Sequence, residues 1–125
     1  MNQEKKIGGY KDLTVWQKSI NLVKRVYQVT SAFPSDERFG LVSQMRRAAV
    51  SIPSNIAEGQ ARHTTGEFIH GISHAEGSLA ELDTQLIIAV ELAFCPQPAT
   101  TDVFALLDEV RRMLNALRRT LEARP

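Results

Sequence analysis

Between Phe68 and Ala93 the residues Phe68, Ile72, Ala75, Leu79, Leu82, Leu86, Ala89 and Ala93 alternate four and three apart over 26 residues. That spacing keeps one stripe of a helix apolar along its whole length, the pattern of a helix packed lengthwise against others. Thr64 with Glu67 three positions on forms a capping box to start it, and Pro96 and Pro98 terminate it. Val103, Leu107, Val110, Leu114, Leu117 and Leu121 repeat the alternation behind Thr100 or Thr101 as cap, with Leu106 and Met113 widening the face. An amphipathic helix is stable in water only when its stripe is covered, so these two helices demand partners.

The first half of the chain supplies them. From Asp12 as N-cap, Leu13, Trp16, Ile20, Val23 and Tyr27 recur at helical steps beside a second stripe of Leu22, Val26, Val29 and Phe33. Trp16 and Tyr27 read as core packing rather than base stacking. Phe33-Pro34-Ser35-Asp36 closes this segment and offers Ser35 as the next cap, with Asp36 and Glu37 in the first turn. The second segment places Leu41, Met45, Ala48, Ile52 and Ile56 near one face and ends at Gly59, read as a C-terminal glycine. Pro53 removes a backbone donor and crowds the Ala49 carbonyl, so a kink or a restart after Ile52 is expected, with Ser51, Ser54 and Asn55 near the freed carbonyls.

No strand-like alternation competes, and the connections are short. The predicted fold is therefore all-α, an antiparallel up-down-up-down four-helix bundle with its second helix kinked at Pro53. Residues 1–10 are expected to form a flexible N-terminal arm containing Gly8-Gly9, and residues 11–125 the bundle domain. A length of 125 residues suits one domain, and a single cysteine, Cys95, excludes a disulfide framework. The longest apolar run, Leu86 to Val90, is far short of a membrane span, and Met1 to Tyr10 lacks the apolar core of a secretory leader. No membrane partner and a cytoplasmic location are the expectations.

The formal net charge is only +1, which excludes a bulk polycation, yet the charge is segregated. Residues 1–33 carry six Lys/Arg against two acids, whereas residues 64–94 carry Glu67, Glu76, Glu81, Asp83 and Glu91 with no Lys or Arg. Lys11, Lys18 and Arg25 are spaced by seven, as are Arg111 with Arg118 and Arg112 with Arg119. Each set reads as a positive rail on the outside of its helix, suited to phosphates if several copies assemble, although surface arginines on helices are commonplace. Between Leu86 and Phe94 only Glu91 is polar. A helix end apolar nearly all round must be covered on more than one side, which makes Leu13, Val15, Ile87, Ile88 and Phe94 candidates for a subunit contact.

Three further features bear on chemistry. Ser43, Arg47, Ser51, Asn55 and Glu58 fall along one side of the second segment as a polar seam, in which Arg47 pairs with Glu58 or with an acid of the third helix. His70 and His74, four apart and near Glu67, offer metal-ligand chemistry but lack the His-Glu-x-x-His order, so a solvated or subunit-facing polar stripe is the better account. Cys95 falls at a helix C-terminus, where the helix dipole disfavours a thiolate, and no Ser-His-Asp arrangement or glycine-rich phosphate loop occurs. No catalytic residue, metal or cofactor is assigned.

A set of short motifs runs from Tyr10-Lys11-Asp12-Leu13 and Val15-Trp16 through Phe33-Pro34, Gly40-Leu41 and Ser43-Gln44. Its centre is Arg46-Arg47-Ala48-Ala49-Val50-Ser51-Ile52-Pro53 with Asn55-Ile56-Ala57-Glu58-Gly59, followed by Glu67-Phe68, Gly77-Ser78-Leu79 and Glu81-Leu82. In these motifs the sequence resembles the 23S rRNA intervening-sequence proteins. The resemblance implies a small, cytosolic, non-enzymatic bundle assembling as a ring of five. It is similar to the accessory proteins of diversity-generating retroelements, whose basic surface engages nucleic acid and a reverse transcriptase. It adds Arg46 and Arg47 as motif residues. Gly71, where a bulky residue is expected, and His70, where a permanent cation is common, depart from the pattern. The expected function is a homo-oligomeric, pentameric scaffold with an RNA- or DNA-binding surface. The alternatives are a protein-interaction module without nucleic-acid affinity and, third, a metal-dependent enzyme.

Overall fold

A computed structural model describes residues 9–125. Most of the arm predicted at residues 1–10 lies outside the described residues. Within them, Tyr10–Asp12 forms a 3-10 turn, and the Tyr10 ring packs on Trp16 with centroids 5.4 Å apart. Four helices follow: α1 (Thr14–Thr30), α2 (Leu41–Ala61), α3 (Thr65–Glu91) and α4 (Gln97–Glu122), with a 3-10 turn at Ser35–Glu37 between α1 and α2. Each helix packs against its sequence neighbours and α4 closes back onto α1, so the chain is the all-α four-helix bundle that the periodicity predicts.

The α3 and α4 stripes lie where their alternation places them, with Ile72, Ala75, Leu82, Leu86, Ala89, Val103, Val110 and Leu114 wholly buried. On α1 and just past its end the stripe of Leu22, Val26, Val29 and Phe33 is the buried one, and the other stripe lies at its edge. Val15, Ser19, Leu22, Val26, Val29 and Thr30 are buried, while Trp16, Ile20 and Val23 are half-buried and Tyr27 is 42% exposed. The hydroxyls of Ser19 and Thr30 donate to the carbonyls of Trp16 and Val26, each at 2.7 Å, which lets two polar residues occupy the core face.

Helix ends also differ from expectation. Leu13, not Asp12, precedes α1, and the Ser35 turn stands apart from α2, whose Leu41 N–H donates to Glu37 Oε1 at 3.3 Å. α4 begins at Gln97, ahead of both threonines, with Pro98 in the first turn, where a missing N–H costs nothing. Thr64 caps α3 as predicted, accepting from the Glu67 N–H at 3.2 Å. Ala93 lies beyond α3 in the left-handed region (φ 60°), where Phe94 N–H donates to Ala89 O at 2.9 Å.

α2 runs unbroken through Pro53 and does not restart after Ile52. Ser51, Ser54 and Asn55 donate to the carbonyls of Ala48, Val50 and Ser51, on either side of the Ala49 carbonyl that proline leaves without its donor. Gly59 is not a C-terminal glycine. It is buried inside α2, and the positive φ falls on His63 (66°). Its role is close approach: a Cβ at Gly59 would stand 3.0 Å from Gly71 Cα, and one at Gly71 would stand 2.6 Å from Asn55 O and 2.9 Å from Gly59 Cα. The two backbones touch, so the bulky residue expected at position 71 has no room.

Gly71→Ala is therefore expected to lower the stability of the fold by about 1–3 kcal/mol through overpacking against the α2 backbone. Gly77→Ala, where a Cβ meets nothing within 4 Å, is expected to raise it by about 0.5–1 kcal/mol through helix propensity. Urea unfolding followed by circular dichroism measures both.

Candidate functional site

The heptad-spaced cations of α1 meet heptad-spaced acids of α4. Lys18 Nζ lies 3.2 Å from Glu109 and Arg25 2.5 Å from Asp102. Because the two helices are antiparallel, a cation seven positions later on α1 finds an acid seven positions earlier on α4. The predicted rail is thus one half of an interhelical ion ladder.

The α4 arginines are held in the same way. Arg111 and Arg112 both pair with Asp108, the latter at 2.5 Å. Arg118 donates to Glu76 at 2.5 Å and to Ser73 at 2.8 Å on α3, and its guanidinium is held yet more firmly protonated by the bond to Glu76. The groove of about 600 Å³ beside Arg111 and Arg112 is also lined by Glu76, Asp83 and Asp108, which leaves it no cationic excess. Of the predicted rails, only Lys11 and Arg119 are exposed and make no ion pair among the described residues.

Cations without acidic partners among the described residues gather elsewhere. Arg38, Arg46 and Arg47 line an open groove of about 650 Å³ on the outer side of α2, together with Tyr27, Phe39 and Val50. Arg46 is built in. Its Nε donates to Thr30 Oγ1 at 2.9 Å, its Nη2 to the Tyr27 carbonyl at 3.3 Å, and its guanidinium lies 4.4 Å from the Tyr27 ring centre. The Arg38 guanidinium lies 5.9 Å from the ring of Phe39, which is 89% exposed. Tyr27, Phe39 and Arg38 were not among the predicted site residues. The signal was an unusual one, Arg-Phe next to glycine at the mouth of a helix that carries Arg46-Arg47.

The polar seam does not form as a network. Ser51 and Asn55 satisfy carbonyls of α2 itself, Glu58 pairs with Arg62 at 3.4 Å, and Arg47 stays exposed without an ion pair among the described residues. Ser43, Arg47 and Ser51 border the cationic groove, whereas Asn55 and Glu58 border a separate cleft with His70 and His74. Among the suggested contact residues, Val15 is only 4% exposed and belongs to the chain's own core, so it has no surface to give a subunit. Leu13 and Phe94 pack partly against that core, and Phe94 lies on Phe33 with ring centres 5.8 Å apart. Ile87 and Ile88 are exposed, joined by Leu92 at 57%. Cys95 is buried, which pushes its thiol up and away from nucleophilic use at neutral pH.

Four antiparallel helices with charged outer faces around a buried aliphatic core define a small all-α bundle. The chain belongs to the 23S rRNA-intervening sequence protein family, which it matches over residues 11–116. A solved structure from Bacteroides thetaiotaomicron, a protein of unknown function from the S23 ribosomal protein family, shares the fold with a TM-score of 0.77 and 18% identity. That likeness covers 84% of this chain and 95% of the other. No curated protein matches the chain.

The Arg118–Glu76 pair, with side chains 22% and 31% exposed, is the most enclosed ion pair among the described residues. A double-mutant cycle with Arg118→Gln and Glu76→Gln is expected to give a coupling of about 1 kcal/mol, against about 0.3 kcal/mol for the exposed Arg62–Glu58 pair.

Proposed function

We propose that the chain is a non-catalytic, self-associating scaffold that presents the α2 groove to nucleic acid in the cytoplasm. The observation that carries this reading is the segregation of charge. Lys18 and Arg25 on α1 and Arg111, Arg112 and Arg118 on α4 are tied into ion pairs, while Arg38, Arg46 and Arg47 gather around two accessible rings without an acidic partner among the described residues. A polyanion with flat bases needs this combination: guanidinium groups to replace counterions, and aromatic faces on which a base stacks. Arg46 is preorganised by Thr30 and Tyr27, so little of its freedom is lost on binding.

Self-association is supported by Ile87, Ile88 and Leu92, an exposed aliphatic patch at the end of α3 next to Glu91. The ring of five implied by the family resemblance would repeat the groove around a circle and multiply its affinity for a long strand. No helix among the described residues is long and apolar enough to cross a membrane. The exposure of Phe39 also suits a protein partner, which is the second reading.

Fluorescence anisotropy with single-stranded and duplex RNA and DNA at rising salt separates the two. Three phosphate contacts per groove give a slope of log K against log salt of about −2 for a single strand. Arg47→Glu and Arg38→Glu are expected to weaken binding about tenfold or more, and Arg111→Glu to leave it nearly unchanged. Absence of binding at low salt, or equal losses from Arg111→Glu and Arg47→Glu, rejects the nucleic-acid reading and favours the protein partner. Sedimentation equilibrium of Ile88→Asp with Leu92→Asp tests assembly, for which a shift towards the single chain is expected.

A further inference from the structure

His70 and His74 stand one turn apart on α3. Their Nε2 atoms lie 3.0 Å from each other, with the rings edge to face and their centres 4.5 Å apart. Two imidazole nitrogens bound to one ion at about 2.0–2.1 Å each are separated by roughly 2.9 Å around a square-planar ion and roughly 3.4 Å around a tetrahedral one. In the free pair one Nε2–H donates to the other Nε2 across this 3.0 Å, and the same separation is the one an ion imposes when it takes the place of that shared proton. We infer that His70 and His74 form a two-nitrogen chelate for a divalent transition-metal ion on the side of α3 that faces α2.

The surroundings favour a cation there. The pair lines a cleft of about 360 Å³ with Glu58, Arg62 and Glu67, whose floor includes Gly59 and Gly71. Neither glycine carries a side chain into it, and both imidazoles are exposed. Arg62 is neutralised by Glu58 at 3.4 Å, so the carboxylate of Glu67, one turn before His70, sets the sign of the local charge.

Binding asks for the Nδ1–H tautomer of both rings, leaving both Nε2 lone pairs free to converge on the ion. Among the described residues no group of three His, Cys, Asp or Glu side chains surrounds a common point, so water fills the remaining positions. Gly71-Ile72-Ser73 between the histidines contains no carboxylate to serve as a base, and the chelate is a binding site rather than a hydrolytic centre. Imidazole donors without thiolate suit copper, nickel and zinc, in the order set by their intrinsic affinities for nitrogen.

Isothermal titration of the full, untagged chain with Cu²⁺, Ni²⁺, Zn²⁺ and Mn²⁺ tests this. One ion per chain is expected, with Cu²⁺ tightest and Mn²⁺ weakest. His70→Gln and His74→Gln are each expected to weaken Cu²⁺ binding by about tenfold or more, since the second nitrogen binds as an intramolecular partner of the first. His63→Gln, on the loop after α2, should change nothing. Electron paramagnetic resonance of the Cu²⁺ complex should show two coupled nitrogens in the parent and one in each of the first two variants. Cu²⁺ binding that survives both substitutions undiminished, or no saturable binding at all, overturns the proposal. Both side chains are exposed, and circular dichroism of each variant verifies its helix content.

Discussion

The contact between the backbones of Gly59 and Gly71 is the constraint on which the arrangement of α2 and α3 depends. Neither position admits a Cβ without a clash against a carbonyl oxygen or an α-carbon, and carbonyl and Cα positions in a helix cannot yield as a flexible side chain does. Ala48, Ala49 and Ala75 continue the buried, small-residue character of these two helices. Close approach replaces side-chain interdigitation as the packing mode here, gaining dispersion contacts between backbones that ordinary helix pairs hold apart. It also explains why α2 extends past Gly59 to Ala61. The glycine serves proximity and keeps helical geometry, and the chain reverses instead at His63.

What was legible in the sequence follows from what periodicity measures. The α3 and α4 stripes were read correctly because their buried positions are almost all aliphatic. On α1 the reading gave a face too wide: its stripe of Leu22, Val26, Val29 and Phe33 is buried, whereas Trp16 packs only partly on the core and Tyr27 is exposed, and Ser19 and Thr30 complete the buried side. A hydroxyl that bonds the carbonyl of its own preceding turn is polar in composition and apolar in its demands on the core. Gln85 obscures α3 in the same way: it is buried, bonds Glu81 at 3.3 Å, and breaks the apolar face without moving it. Helix starts were misplaced by one position on α1, five on α2 and four or five on α4, where no serine or threonine side chain caps the helix.

The site was less legible for a different reason. Spacing shows where cations lie along one helix, but whether they face solvent or an acid depends on the register of the neighbouring helix. Lys18 and Arg25 repeat every seven residues, and so do their partners Asp102 and Glu109, some eighty positions away in the chain. A rail and a ladder have the same one-dimensional signature. The cations that gather in the α2 groove come from a turn, Arg38, and from the irregular Arg46-Arg47 doublet, neither of which stands out in a search for periodicity.

This distribution sorts the surface by charge. α2 separates a groove of guanidinium groups and rings, on the side of α1, from a cleft holding two imidazoles and the Glu67 carboxylate, on the side of α3. A polyanion drawn to the first is repelled by the acidic α3, and a metal cation drawn to the second is repelled by Arg38, Arg46 and Arg47. Such opposed preferences, held on either side of a single helix, require that the helix be fixed in rotation about its own axis. Two features provide that fixity: the Gly59–Gly71 contact on one flank, and on the other the clasp of Arg46 on Thr30 and Tyr27 of α1. A rotation of α2 by one residue step, about 100°, would break both contacts at once and carry Arg47 out of the groove, so the packing that orders the core also orders the charges outside it.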